Sequence, residues 1–200
     1  MNELLNVKKE IKHFIRKYSG FSAGTAEIMA NYALRTWKPL GDKQPILQFV
    51  GGAGTGKTTA LQIMKRLCQN PINADEYISW NTVLRLLDGI HPHTLIIDEV
   101  PYEESNEDLS AVLDFGVTRG SLYEKRLSEE EGGESIFYDL FGYTVIACTQ
   151  PISSPAIQNN CITVRLFPKK RFGAPVMGGR DFLLDGALVV THIRAAVEAM

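Results

Sequence analysis

The sequence predicts an α/β fold in three layers, a mostly parallel five-stranded sheet with helices on both faces. Three observations carry this expectation. Strand and helix patterns alternate through the middle of the chain, the order that builds parallel strands joined by crossover helices. The strand candidates ILQFV, TLIID, YTVIACT and CITVRLF are nearly unbroken apolar runs, as strands covered on both faces are. A glycine-rich turn, GGAGTGKT, leads from the first of these strands into an amphipathic helix.

Each element follows from local pattern. Residues 4–17 mix apolar and basic residues at helical spacing, and GTAEIMANYALRTW continues as a second helix. KPLGDKQP breaks the pattern with Pro39, Gly41 and Pro45. ILQFV follows as a strand ending at Gly51, and KTTALQIMKRLC reads as a helix with Ala60, Ile63, Met64 and Leu67 on one face. EYISW is expected as a short strand, and NTVLRLLDGI as a helix capped by Asn81. TLIID is the third strand, closed off by Pro101, and SNEDLSAVLDFGV a helix opened by Ser105 or Asn106. GSLYEKRL and SIFYDL, separated by an acidic loop with Glu129, Glu130, Glu131 and Glu134, predict an inserted β-hairpin. YTVIACT and CITVRLF complete the sheet, with a short helix near residues 154–159 between them, and ALVVTHIRAAVEAM forms a last helix. The expected division is a helical segment over 1–40 packed on the core, the core itself over 41–168, and a short extension over 169–200.

Composition bounds the class. The chain has 200 residues, 44% hydrophobic and 22% charged, with a net charge of −2, which is the make-up of one soluble domain without a field that advertises nucleic acid. The longest apolar runs are far too short to span a bilayer, and the charged N-terminus lacks the apolar centre of a signal peptide. Cys68, Cys148 and Cys161 have no paired spacing and read as buried, reduced thiols of a cytoplasmic protein. Lys8, Lys9, Lys12, Arg16 and Lys17 cluster early, and Lys169, Lys170 and Arg171 late; both clusters read first as solvated surface. His91 and His93 flank Pro92, but two ligands without a third make a poor zinc site. His13 and His192 fall on helices.

The chemistry concentrates in one motif and two strand ends. Gly51, Gly52, Ala53, Gly54, Thr55, Gly56, Lys57 and Thr58 satisfy G-x-x-x-x-G-K-[ST] in full, followed by Thr59. Glycines let the backbone curl so that several N–H groups face one phosphate, aided by the helix N-terminus. Lys57 then reaches the β- and γ-phosphates and Thr58 presents its hydroxyl to Mg²⁺. Asp98 ends a buried strand, where a carboxylate supports that metal, and Glu99 follows it as the candidate general base for an attacking water. YTVIACTQP also ends in polar residues, Thr149 and Gln150. If that strand lies between the cradle strand and TLIID, its tip faces the γ-phosphate, and Gln150 or Thr149 orients the water; the alternative is a simple capping role.

With these residues the chain resembles the AAA+ branch of the P-loop ATPases. IACTQP is similar to the sensor strand of that family, with Gln150 where asparagine is usual. The nearer likeness is to ATPase domains of phage, plasmid and mobile-element replication proteins, which are often joined to primases and related to superfamily 3 helicases. There a DE strand leads to a helix and a G-x-x-R-G turn, here GVTRG with Arg119, then a hairpin and an aromatic entry to the sensor strand, here FYDLFGYTVIAC. The resemblance spans roughly residues 15–166. It implies a strand order of 5-1-4-3-2, ATP and Mg²⁺ as cofactors, and self-association into a ring, often hexameric, in which a neighbour's arginine touches the γ-phosphate. Many such relatives carry a helical lid after the core; over 169–200 it is expected to be reduced or absent. Relatives tend to carry Asp-Arg before the last strand; this chain has Asn159-Asn160-Cys161, with Arg165 out of register. That leaves Arg119, Arg126 and Arg171 as finger candidates, or no finger at all, and none is assigned. Lys125 and Arg126 beside Tyr123 on the hairpin are candidates for DNA contact, opposed by the glutamates of the turn.

Three functions compete. The first is an oligomeric Mg²⁺-ATPase working on DNA in mobile-element replication, helicase-like, with a primase among its potential partners. The second is a nucleotide-dependent remodeller or loader of proteins. The third is a small-molecule kinase, weakened by Glu99 and by the lack of an arginine-rich lid. No N-K-x-D pattern for reading guanine is present, which favours ATP.

Overall fold

The computed structural model describes residues 2–39, 41–74, 78–98, 107–128, 133–168 and 179–199. Two helices open the chain, α1 (Asn2–Tyr18) and α2 (Ala23–Trp37). Then come β1 (Ile46–Val50), α3 (Lys57–Leu67), β2 (Pro71–Ala74), α4 (Trp80–Gly89), β3 (Thr94–Asp98) and α5 (Glu107–Phe115). After α5 follow β4 (Leu122–Arg126), β5 (Ser135–Asp139), β6 (Tyr143–Cys148), α6 (Pro155–Gln158), β7 (Cys161–Arg165) and α7 (Arg180–Glu198).

Five strands form one sheet in the order β2-β3-β6-β1-β7, while β4 and β5 form a separate antiparallel hairpin. Every pairing in the main sheet is parallel. With the hairpin left out of the count and the sheet taken from its β7 edge, this is the order 5-1-4-3-2. Successive strand residues serve opposite faces. Leu47, Phe49, Val145, Ala147 and Val164 pack with α1, α2, α3 and α7, whereas Ile46, Ile146, Leu95, Ile97 and Ile72 pack with α4, α5, α6 and the hairpin. Two dry cores sharing one sheet explain the continuous apolar runs.

Two local expectations are corrected. The edge strand is PINA, not EYISW. Pro71 opens it at the first residue of an edge strand, the position where a missing N–H costs no ladder bond. Of EYISW, Ile78 precedes the cap of α4, Trp80 opens that helix, and residues 76 and 77 lie outside the described residues. The cap of α4 is Ser79, whose Oγ accepts from the Thr82 N–H at 3.3 Å, and Asn81 is already inside the helix. The proposed Ser105 or Asn106 cap of α5 and the closing Pro101 lie outside the described residues.

The helix α7 folds back on the N-terminal pair. Phe182 stacks on Phe14 and meets Tyr18 edge-on, and Asp185 accepts from Tyr18 Oη and Lys17 Nζ, both at 2.6 Å. A β-carbon at Gly186 would fall 2.5 Å from Arg66 Cγ, so glycine sets how closely α7 approaches α3. The Arg66 guanidinium donates to the Leu183 carbonyl. Of the early basic cluster, Lys8 and Lys12 both pair with Glu27 of α2.

Candidate functional site

The turn between β1 and α3 is built by glycines where side chains would collide or strain. Gly54 and Gly56 hold positive φ of 73° and 97°, the left-handed region that favours glycine. A β-carbon on Gly51 would lie 2.5 Å from Thr55 Oγ1 and 2.8 Å from the Leu166 carbonyl. Thr55 is buried and donates to the Gly52 carbonyl at 2.9 Å, tying the loop across its own width. Lys57 is only 7% exposed, and its ammonium donates to the carbonyls of Gly51 (2.9 Å) and Gly52 (3.2 Å). A buried cation at the mouth of a loop beside the N-terminus of an eleven-residue helix is an anion-binding arrangement. Thr58 stands exposed on the first turn of α3.

Sheet register places the other candidates. Asp98 is aligned with Ala147, and Ala147 with Phe49, two residues before the loop begins. The carboxylate therefore leaves the same edge of the sheet as the cradle, about 10 Å to its side at the usual strand spacing, and it is exposed. Because β6 lies between β1 and β3, the condition set for Gln150 is met. Cys148 aligns with Val50, so Thr149 and Gln150 emerge between the loop and Asp98, both exposed. Glu99 lies outside the described residues. Thr58 and Asp98 offer exposed hard oxygen donors of the kind Mg²⁺ takes. Among the described residues no cluster of three His, Cys, Asp or Glu is assembled for a metal.

A cavity of about 750 Å³ opens beside the cradle. One wall is residues 52–59. The others are the α1–α2 turn, with Gly20, Phe21, Ser22 and Thr25, and the exit of β7, with Arg165, Leu166 and Phe167. Sequence reasoning missed these two segments. Arg165 aligns with Val50, so sheet pairing, not local pattern, brings it to the cradle. No residue of α7 lines this cavity.

Other candidates fall away from the cradle. Arg119 lies at the opposite end of the sheet, its guanidinium 4.6 Å from the Phe141 ring and paired with Asp42 at 3.6 Å. Arg126 is exposed on the hairpin and Arg171 lies outside the described residues. Lys125 turns inward, donating to Asp108 (2.6 and 2.8 Å) and to Asn81 (2.6 Å), while Tyr123 packs against Tyr138 and Phe115. Alternation then leaves Leu122 and Phe137 outward, 52% and 57% exposed. Of the three hairpin residues considered for DNA contact, Lys125 and Tyr123 face inward and anchor the hairpin, while Arg126 stays exposed. Burial pushes the thiol of Cys68 up to about 12 and those of Cys148 and Cys161 up to about 11, so none is a nucleophile at neutral pH. No described helix is long and apolar enough to cross a membrane.

No protein-family model matches the chain, and none of the curated proteins matches it in sequence. Solved structures match it in fold. The apo A form of the NrS-1 C-terminal region has a TM-score of 0.57 at 11% identity, over 93% of this chain and 45% of that one. The JCV helicase, in complex with a thiazolopyridine acetamide, has a TM-score of 0.52 at 15% identity, over 82% of this chain and 46% of that one. The chain thus spans just under half the length of each. The likeness establishes the fold, an α/β domain of the P-loop NTPase type that a helicase shares.

Proposed function

We propose that the chain is a Mg²⁺-dependent ATPase, an AAA+-like motor that works as a ring oligomer on DNA in the replication of a phage, plasmid or other mobile element. The observation that carries the chemistry is the register that aligns three strand ends on one edge: the cradle after Val50, Gln150 next to it, and Asp98 one strand further. In this reading the backbone N–H groups of the loop and the Lys57 ammonium bind the β- and γ-phosphates. Thr58 and Asp98 would hold Mg²⁺, which would supply neutralisation of charge on the phosphate oxygens. Gln150 orients a water, Glu99 takes its proton as the water oxygen bonds to the γ-phosphorus, and the bond from that phosphorus to the bridging oxygen breaks, leaving ADP and phosphate. The likeness to a helicase fold and the sequence resemblance support a DNA client; a primase is the natural replication partner. We also propose the division at residues 40 and 168, with the last segment bracing the N-terminal helices in place of a lid.

A second reading has an observation of its own. The hairpin shows solvent an apolar pair, Leu122 and Phe137, and keeps Lys125 for an internal ion pair. That surface suits a protein contact better than a phosphate backbone, and supports a remodeller or loader. The test is steady-state ATP turnover with and without single-stranded DNA. We expect Lys57→Ala to abolish turnover and Glu99→Gln to bind ATP without hydrolysing it. Full hydrolysis by Glu99→Gln removes Glu99 as the base, and turnover indifferent to DNA favours the protein client.

A further inference from the structure

Two exposed apolar patches lie on opposite faces of the sheet. The first is a groove of about 520 Å³ between α1 and α7, on the side of the N-terminal helices. Phe14, Leu188 and Val189 line it, and Leu188 is 58% exposed. By helical spacing, exposed Leu184 extends the ridge on α7 and exposed Leu5 the ridge on α1. Two side-chain pairs tie the helices together across the groove, Lys17 with Asp185 and His192 with Glu10, each at 2.6 Å. Lys9 on the groove wall and Arg16 two turns further along α1 are both exposed. Among the described residues neither has a carboxylate partner.

The second patch is the outward face of the hairpin, whose inward face packs in the other core with α4 and α5. Phe137 stands directly opposite Glu124, with Leu122 diagonal to it. Glu124 and Glu134 are exposed, and the sequence between the two strands adds Glu129, Glu130 and Glu131. Lys125 is committed to Asp108, which leaves Arg126 as the one outward cation of the two strands. The patches are complementary: each has an apolar centre, one beside unpaired cations and the other beside carboxylates. Fixed on opposite faces of the sheet, they do not meet within one copy.

We propose that the occupant of the α1–α7 groove is the hairpin of a second copy of this chain, with Phe137 seated on the apolar floor and Glu124 facing Lys9. This deepens the ring assembly proposed above and rests on it. Two different surfaces make the contact heterologous, so each added copy still offers a hairpin and a groove, and growth continues until a ring closes. Burial of the phenyl ring and the leucines supplies the attraction. The charges set partner and orientation.

Sedimentation velocity of the full chain with Mg²⁺ and ATP tests this. The wild type associates, and more weakly as salt is raised from about 0.1 M to about 1 M, which shortens the Debye length from about 10 Å to about 3 Å. Phe137→Asp and Leu188→Asp each weaken association by about thirtyfold or more, the scale of a hot spot. Mixed in equal amounts, the two variants form a dimer and stop, because one intact hairpin and one intact groove remain between them; misfolded variants do not restore each other in this way. The proposal is overturned if both variants assemble as the wild type does, which leaves the ring to another contact, or if their mixture stays monomeric while the wild type assembles. A wild type that stays monomeric overturns it together with the ring, and leaves the hairpin to a client protein.

Discussion

Gly51 is the residue at which the sheet becomes a binding loop. Its N–H continues the ladder by donating to the Cys148 carbonyl at 3.1 Å, while its missing side chain lets Thr55 and the Leu166 carbonyl close in. Gly51→Ala forces one of these apart. We expect a loss of about 1–3 kcal/mol in stability and a loss of nucleotide binding, measured by denaturant unfolding and calorimetry. Gly52 has nothing within 4 Å of its missing β-carbon, so Gly52→Ala should leave stability within about 0.5 kcal/mol of the wild type. Equal unfolding midpoints for the two variants would refute this account of the first glycine. The loop was legible in the sequence because its chemistry is local: glycine positions, lysine and threonine are fixed by the curl they make. Arg165 and Phe167 were not legible, because their place depends on which strand pairs with β1, a fact carried by the whole sheet.

At the scale of elements, a partly buried ion pair helps to hold the hairpin. Asp108 of α5 accepts two bonds from Lys125 and a third, at 3.3 Å, from Tyr123 Oη. Lys125→Ala leaves that carboxylate short of its partner, and should cost about 1–3 kcal/mol. Amide exchange should accelerate across residues 122–126 and 135–139 while β1 and β6 keep their protection. Unchanged exchange in the hairpin would mean that its other contacts hold it, the aromatic packing and the bond from the Asp139 N–H to Asp88. The hairpin itself was evident from two alternating segments around a polar turn, but alternation cannot say which face turns inward. Facing Asp108 and Asn81 decided that, and these come from other elements. Strand β2 was hidden for another reason: four residues beginning with proline carry too little pattern to stand out from a loop.

Across the whole molecule, acid acts in two windows. His93 is 2% exposed, with its ring against Gly142, and burial lowers its pKa from 6.5 to about 4. The unfolded chain takes up a proton below pH 6.5 that the folded chain refuses until about 4. Stability therefore falls as pH drops through that interval, by about 3 kcal/mol in all. Hydrogen bonds from Lys12 and then Lys8 lower Glu27 from 4.5 to about 2, and its smaller contribution is lost between those values. Unfolding free energies measured from pH 7 to pH 3 should show the first decline, with the His93 ring resonances still those of neutral imidazole at pH 5; titration near 6.5 would contradict it. The helical layer has an optical consequence. Helix α3 is a rod of about 16 Å that starts at Lys57 and ends at Leu67, whose carbonyl accepts the indole N–H of Trp37 at 2.8 Å. The chain has only two tryptophans, so a tilt of that rod on phosphate capture should register in intrinsic fluorescence, and replacing Trp80 leaves a single tryptophan to follow it in real time.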